Sequence, residues 1–180
     1  MTDPTNDRLS RAIAEAFAAK RDYYRVFFNM DVDQALGVPA REQDLRRLES
    51  RLKWRLPPSY REFLLRHDGW RNFRGDAHLL SVAQRDEPGM QAHLAEFQSL
   101  AGDIAAGVIV IMAGEASGTL AYLDPKTRRP DGEMDVVVFA YADAELARHP
   151  DFVTFLEQWT ATLRRLIAQE TGQVPPRPKE

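Results

Sequence analysis

Proton-transfer chemistry at neutral pH could rest on four histidines, His67, His78, His93 and His149, and no cysteine accompanies them. The missing thiol excludes a cysteine nucleophile, thiolate-bound zinc, an iron–sulfur cluster and a disulfide scaffold. His93 and Glu96 stand one helical turn apart, a spacing that metal sites use, but no third ligand is near in sequence; the pair reads as solvated side chains. Gly114-Glu115-Ala116-Ser117-Gly118 is the nearest approach to a nucleophile elbow. Its serine is wrongly spaced from the glycines and no strand-to-helix turn follows, so Ser117 reads as a turn residue. Neither a GxxxxGK[ST] phosphate loop nor a GxGxxG fingerprint occurs. Asp131, Glu133 and Asp135 fall in a turn-rich stretch and read as solvated loop charges rather than an acid–base set, which burial and distance would have to create. The expectation is therefore no catalytic group, no metal and no cofactor.

The charges divide unevenly. The 180 residues carry a net charge of −3, with an isoelectric point near 5.8, which argues against a dedicated nucleic-acid binder. Residues 41–66 sum to +4 and residues 68–157 to −8. In the basic segment Glu42→Arg46 and Glu49→Lys53 are i, i+4 pairs, the pattern of an exposed, salt-bridged helix face. The acidic half serves solubility, or forms a face that steers a basic partner. The composition, 44% hydrophobic and 28% charged, suits a folded chain and excludes wholesale disorder. The amino terminus lacks a basic stretch leading into an apolar one. The longest apolar run, 107–114, is far short of the ~20 residues that span a bilayer. A cytoplasmic location without membrane contact is expected. Arginine outnumbers lysine 20 to 4, which fits a GC-rich bacterial genome.

These side chains need elements to hold them. Leu9, Ile13, Ala16, Phe17, Tyr24, Phe27 and Phe28 recur near 3.6 residues and predict a helix over 6–28. Gly37 and Pro39 break the pattern, so 30–39 reads as a connector. A second helix is expected over 41–54, with Leu45, Leu48 and Leu52 inward. Pro58 suits the first position of a third, with Tyr60, Phe63, Leu64 and His67 on one face and Gly69 as its left-handed C-cap. His78–Ala83 reads as a short strand and 91–100 as a short helix with Leu94 and Phe97 inward. The Val- and Ile-rich run 107–113 fits a central strand buried on both faces. Strands follow at 119–124 and 134–141, joined by a long turn-rich loop. The last helix, 150–169, has the most regular stripe: Phe152, Phe155, Leu156, Trp159, Leu163, Leu166 and Ile167. Tyr60, Phe63, Trp159 and Leu163 are expected in the core. Helices, then strands, then a helix predict an α+β fold: an antiparallel β-meander flanked by helices.

The segment 39–70 carries a resemblance. Leu45, Leu48, Glu49 and Leu52 lead into Leu56-Pro57-Pro58-Ser59-Tyr60, Phe63-Leu64 and His67-Asp68-Gly69-Trp70. This is similar to the signature of the SUKH superfamily, an acidic-polar helix followed by "LP.sY..FL...nG" ahead of a β-meander. The stretches 118–124 (GTLAYLD) and 151–159 (DFVTFLEQW) resemble its later strand and closing helix. His67-Asp68-Gly69-Trp70 departs from the commoner Asn-Gly pair, and the leading helix is longer than in many members. The resemblance divides the chain into a leading helix and connector (1–38), a SUKH-like domain (39–170) and a flexible tail (171–180). It implies a non-enzymatic binding protein: a bacterial immunity protein that neutralises a toxin domain, nucleases among them, or else a scaffold or regulator of the fungal cell-wall type with no toxin partner. A cognate toxin domain with a basic surface would suit the acidic half. The binding face is expected on the meander side: Trp70, Arg71 and Phe73, where exposed aromatics would anchor an interface, with Asp131, Glu133 and Asp135 free to meet a basic surface.

Overall fold

The structure, a computed structural model, describes residues 4–32, 36–104, 106–114, 116, 118–140 and 144–173. Ser117, Glu115 and the end of the chain after Gln173 lie outside them. The chain falls into two compact units, one of Met1–Asp33 with Val153–Glu180, the other of Gln34–Phe152.

The first unit is a pair of helices, α1 (Pro4–Phe28) and the chain's last helix, α5 (Phe152–Glu170). Arg8 grips Glu157 in a two-pronged pair, Nε to Oε1 at 2.9 Å and Nη2 to Oε2 at 2.6 Å, and Arg164 reaches Glu15 at 3.3 Å. The two contacts are two turns apart on both helices, so α1 and α5 run in the same direction at a constant offset. Leu9, Ala12, Ile13, Ala16 and Ala19 are buried along α1, as the periodicity requires. Phe27 and Phe28, placed on the same stripe from sequence, are exposed. On α5, Phe155, Leu156, Thr160 and Leu163 are buried; Trp159 lies at the margin of that stripe and is only partly covered, short of the core position expected of it.

The second unit opens with α2 (Glu42–Leu52) and α3 (Pro58–Arg66). Pro58 occupies the first turn of α3, where a missing N–H costs nothing. Leu45, Leu48, Tyr60, Phe63 and Leu64 are buried inward faces of these helices. The helix ends at Arg66 with His67 in extended geometry, so Gly69 is not its C-cap. Gly69, at φ +89°, serves a different need: a Cβ there would lie 2.8 Å from the Leu79 carbonyl oxygen and the Ser81 nitrogen. Gly37 is likewise pressed against backbone, its amide donating to the Gly69 carbonyl at 2.9 Å, and a Cβ would meet the Asp68 oxygen at 2.0 Å.

A six-stranded antiparallel sheet follows, in sequence order: β1 (Trp70–Arg74), β2 (Ala77–Leu79), β3 (Ile109–Ala113), β4 (Thr119–Asp124), β5 (Asp135–Ala140) and β6 (Ala144–His149). The α+β meander is thus observed, with two edge strands, β1 and β6, beyond the expected set. All five residues of β3 are buried, as a central strand's run of Val and Ile demands. On one face Leu120 pairs with Phe139 and Tyr122 with Val137. Those four pack with Val110, Leu80 and Met90, and with Phe97 of α4 (Pro88–Ala101), in one cluster. The intervening residues Ala121, Leu123, Val136 and Val138 are buried as well.

Candidate partner-binding surface

The six residues expected to bind a partner are not brought together. Trp70, Arg71 and Phe73 are on β1; Asp131 and Glu133 are in the β4–β5 loop, and Asp135 starts β5. Three strands separate β1 from β5, or ~19 Å at the usual strand spacing.

Trp70 and Phe73 were expected at the surface, but each is 1% exposed. Alternation along a strand would send residues three apart to opposite faces. Asn72 breaks it: its φ is +51°, its N–H is taken by His78 Nδ1 at 2.8 Å, and the β1–β2 register shifts there. The irregularity turns Phe73 inward beside Trp70, the rings meeting edge to face at 5.2 Å. Arg71 remains exposed.

The acids divide by role. Glu133 reaches the first turn of α3, accepting the Ser59 N–H on Oε1 and the Ser59 hydroxyl on Oε2, both at 2.8 Å. One unsatisfied donor of a helix start is thereby met from 74 residues away. Burial pushes the Glu133 carboxyl above its usual range, the Ser59 bonds pulling against it. Asp135 is held by Arg129 at 2.8 Å and Arg148 at 3.3 Å. Arg148 also binds Asp124 and Glu145, and its guanidinium is held more firmly protonated by them. Asp86 is engaged by Arg51. Asp86, Asp124, Asp135 and Glu145 are thus each paired with an arginine rather than standing as free loop charges. Asp131 is exposed, its Oδ1 accepting the Glu133 N–H at 2.9 Å.

Fixing that loop onto α3 shapes a groove of about 1100 Å³ between α2, the α2–α3 connector, α3 and the β4–β5 loop. Its sides include Arg46, Arg61 and Glu49 together with Trp54, Arg128 and Asp131. Arg61 ties its two helices together, bridging Glu42 at 2.6 Å and Glu49 at 3.2 Å. The i, i+4 pair Glu42–Arg46 forms as expected at 3.1 Å. Glu49–Lys53 does not: α2 stops at Leu52, Lys53 turns into the left-handed region at φ +58°, and Glu49 instead serves Arg61 and the Leu56 N–H. Trp54 is left 38% exposed, next to Lys53 and Arg55, which make no ion pair among the described residues. Arg128 closes this end by donating to the Arg55 carbonyl at 3.3 Å. An exposed indole amid cations, with Asp131 on the opposite wall, offers a ring for apolar contact and cations for carboxylates. The sequence signal was the tripeptide Lys53-Trp54-Arg55 between two helices, hidden within the basic segment.

The residues that depart from the superfamily's usual pattern are structural. The Asp68 carboxylate accepts the Val82 N–H at 2.8 Å, and burial raises its pKa. His67 is held below its ordinary pKa by burial. Arg85, 5% exposed, donates to the Val110 carbonyl and to the Tyr60 hydroxyl at 3.0 Å; its Nε finds no acceptor among the described residues. Among the described residues no group of three or more His, Asp or Glu is placed to hold a metal ion, and no helix is long and apolar enough to cross a membrane.

α2, α3 and the antiparallel meander that follows define an α+β domain, with the groove at the junction of its helices and the β4–β5 loop. A model of the SMI1/KNR4 family (SUKH-1) matches residues 39–158, two thirds of the chain, and the chain belongs to that family. No curated protein matches it.

Proposed function

We propose that the chain is a non-enzymatic binding protein of the immunity type, which holds a toxin domain in a complex and so blocks it. The observation that carries this reading is the groove beside Trp54, built entirely from the segment the family model covers. Its exposed indole supplies an anchor, and Lys53, Arg55, Arg128 and Asp131 supply a mixed charge pattern that selects a partner with the complementary one. The groove shifts the expected contact residues: Asp131 stays, Trp54 takes the anchoring role given to Trp70 and Phe73, and Glu133 and Asp135 act through the loop they brace. A wholly basic partner surface is no longer needed; a basic element opposite Asp131 and an acidic one opposite Arg55 and Arg128 fit better.

The test is co-expression with the product of the adjacent gene. Wild type should rescue growth from that product and co-purify with it. Trp54→Ala, and Arg55→Glu with Arg128→Glu, should weaken the complex at least tenfold while the thermal melt stays put. A toxic neighbour neutralised equally well by these variants removes the groove from the proposal. A neighbour that is neither toxic nor bound favours the regulatory-module reading.

A further inference from the structure

We propose, on the reading of the chain as a binding protein, that a second groove along α2 takes up an acidic segment of the partner protein, whose carboxylates meet Arg47 and Arg51. The groove holds about 810 Å³ between α2 and the residues Val82, Ala83 and Asp86 that follow β2. Arg46 and Ser50 line both this groove and the one beside Trp54, and so form the ridge between them. A partner seated on Trp54 therefore has the second groove within reach.

The charges that line it are layered. The side chains of Arg41, Arg46 and Arg47 are 80, 74 and 67% exposed, whereas Asp44, the carboxylate that Arg41 and Arg47 share, is only 24% exposed. An approaching surface meets guanidinium groups first. Among the described residues most of their hydrogen-bonding capacity is unspent. Of the five N–H donors on a guanidinium, Arg46 commits its Nε to Glu42 at 3.1 Å and Arg51 its Nη1 to Asp86. Arg47 comes only within 3.7 Å of the Asp44 Oδ1, outside hydrogen-bond range. Elsewhere in this chain one guanidinium holds two or three carboxylates at once. Arg61 bridges Glu42 and Glu49, and Arg148 holds Asp124, Asp135 and Glu145. Arg51, with one carboxylate, and Arg47, with none in hydrogen-bond range, have room for another.

The spacing selects the occupant. Arg47 and Arg51 stand about one helical turn apart, ~6 Å along the axis of α2. Acidic residues two apart on a strand are separated by ~6.6 Å, and four apart on a helix by the same ~6 Å. Either element presents two carboxylates in step with the pair, and Val82 and Ala83 beside them offer apolar contact. The lining sets four arginines, Arg41, Arg46, Arg47 and Arg51, among three aspartates, Asp44, Asp68 and Asp86. That mixture disfavours a nucleic acid, whose phosphates repeat without interruption and would run over the aspartates. It suits a polypeptide whose acids are spaced and whose intervening residues are neutral.

The experiment is titration of the isotope-labelled full chain with hexaglutamate at low salt, read by NMR at the arginine Nε–H signals. Saturable shifts at Arg47 and Arg51 are expected. Arg47→Gln/Arg51→Gln should weaken hexaglutamate at least fivefold. Arg11→Gln/Arg21→Gln, which removes two exposed arginines of α1 outside the groove, should leave it unchanged. Arg47→Lys/Arg51→Lys keeps the charge but cannot hold two carboxylates on one plane, and should fall between. No shift at Arg47 and Arg51, or an equal loss in the groove and α1 variants, overturns the inference. So does tighter binding of an oligothymidylate of equal charge through the same arginines, since the groove would then be a nucleic-acid site. The titration needs no product of the adjacent gene: a neighbour that is not bound removes the toxin reading and leaves the hexaglutamate result to decide the groove. A neighbour bound as tightly by Arg47→Gln/Arg51→Gln as by wild type overturns the second groove while the toxin reading stands.

Discussion

At Ser59 the first turn of α3 meets a carboxylate from 74 residues away, and that contact holds the β4–β5 loop against the groove. Glu133→Ala leaves the buried Ser59 N–H and hydroxyl without an acceptor and should cost about 1–3 kcal/mol in urea denaturation. Glu133→Gln keeps an acceptor for the N–H and a donor toward the hydroxyl, and should retain most of that stability. Phe63 is fully buried, with the Phe152 ring 5.0 Å away and Tyr60 stacked at 6.3 Å. Phe63→Ala should destabilise by ~3–5 kcal/mol, the range for emptying an aromatic site; a loss under ~1 kcal/mol in the same denaturation series would contradict its packing.

The elements are joined by backbone contacts that tolerate little. The connector before α2 runs beside the chain entering β1, Gly37 donating to Gly69 and the Asp68 N–H to Val38 at 3.0 Å, with Leu36 bridging Trp70. Gly69 combines a positive φ with a crowded Cβ position, whereas Gly75, also at positive φ (+63°), has open space around it. Gly75→Ala should cost about 1–2 kcal/mol, the left-handed penalty alone. Gly69→Ala adds a clash with the backbone of Leu79 and Ser81, and its thermal midpoint should fall well below that of Gly75→Ala. Equal midpoints would mean that the Gly69 turn yields without strain.

For the molecule as a whole, pH sets half-buried histidines against half-buried carboxylates. Burial lowers the pKa of His67 and His149 from the usual value of 6.5. Their neutral forms favour the folded state, so that stability is present above about pH 6.5 and is lost as pH falls through the lowered folded values. Asp68 and Glu133 are raised by burial. Their stabilising protonated forms are present at low pH, and that contribution is lost as pH rises through the folded values. Denaturation midpoints measured from pH 4.5 to 8 therefore report the balance of these opposed contributions. His67→Gln/His149→Gln should make stability fall more steeply with rising pH over this window, and Asp68→Asn/Glu133→Gln should make it rise. Unchanged slopes in both variants would show that these four groups do not couple to folding.

Helical periodicity was enough to locate α1, α2, α3 and α5 and to name Leu45, Phe63 and Leu163 as buried, because an α-helix sorts its faces by local spacing. Unbroken Val and Ile marked β3, and the LPPSY segment with the later strand pointed to the family. Other features depended on partners distant in sequence. Phe73 is buried because Asn72 bends β1 against β2, so alternation misplaces it. Glu133 and Asp135 look like loose loop charges until folding delivers Ser59, Arg129 and Arg148 to them. Phe27 and Phe28 share the apolar character of the buried stripe, yet both are exposed. Local spacing decides which side of an element is apolar; what covers that side, and which charges find a counter-ion, is decided only when separate stretches of chain meet.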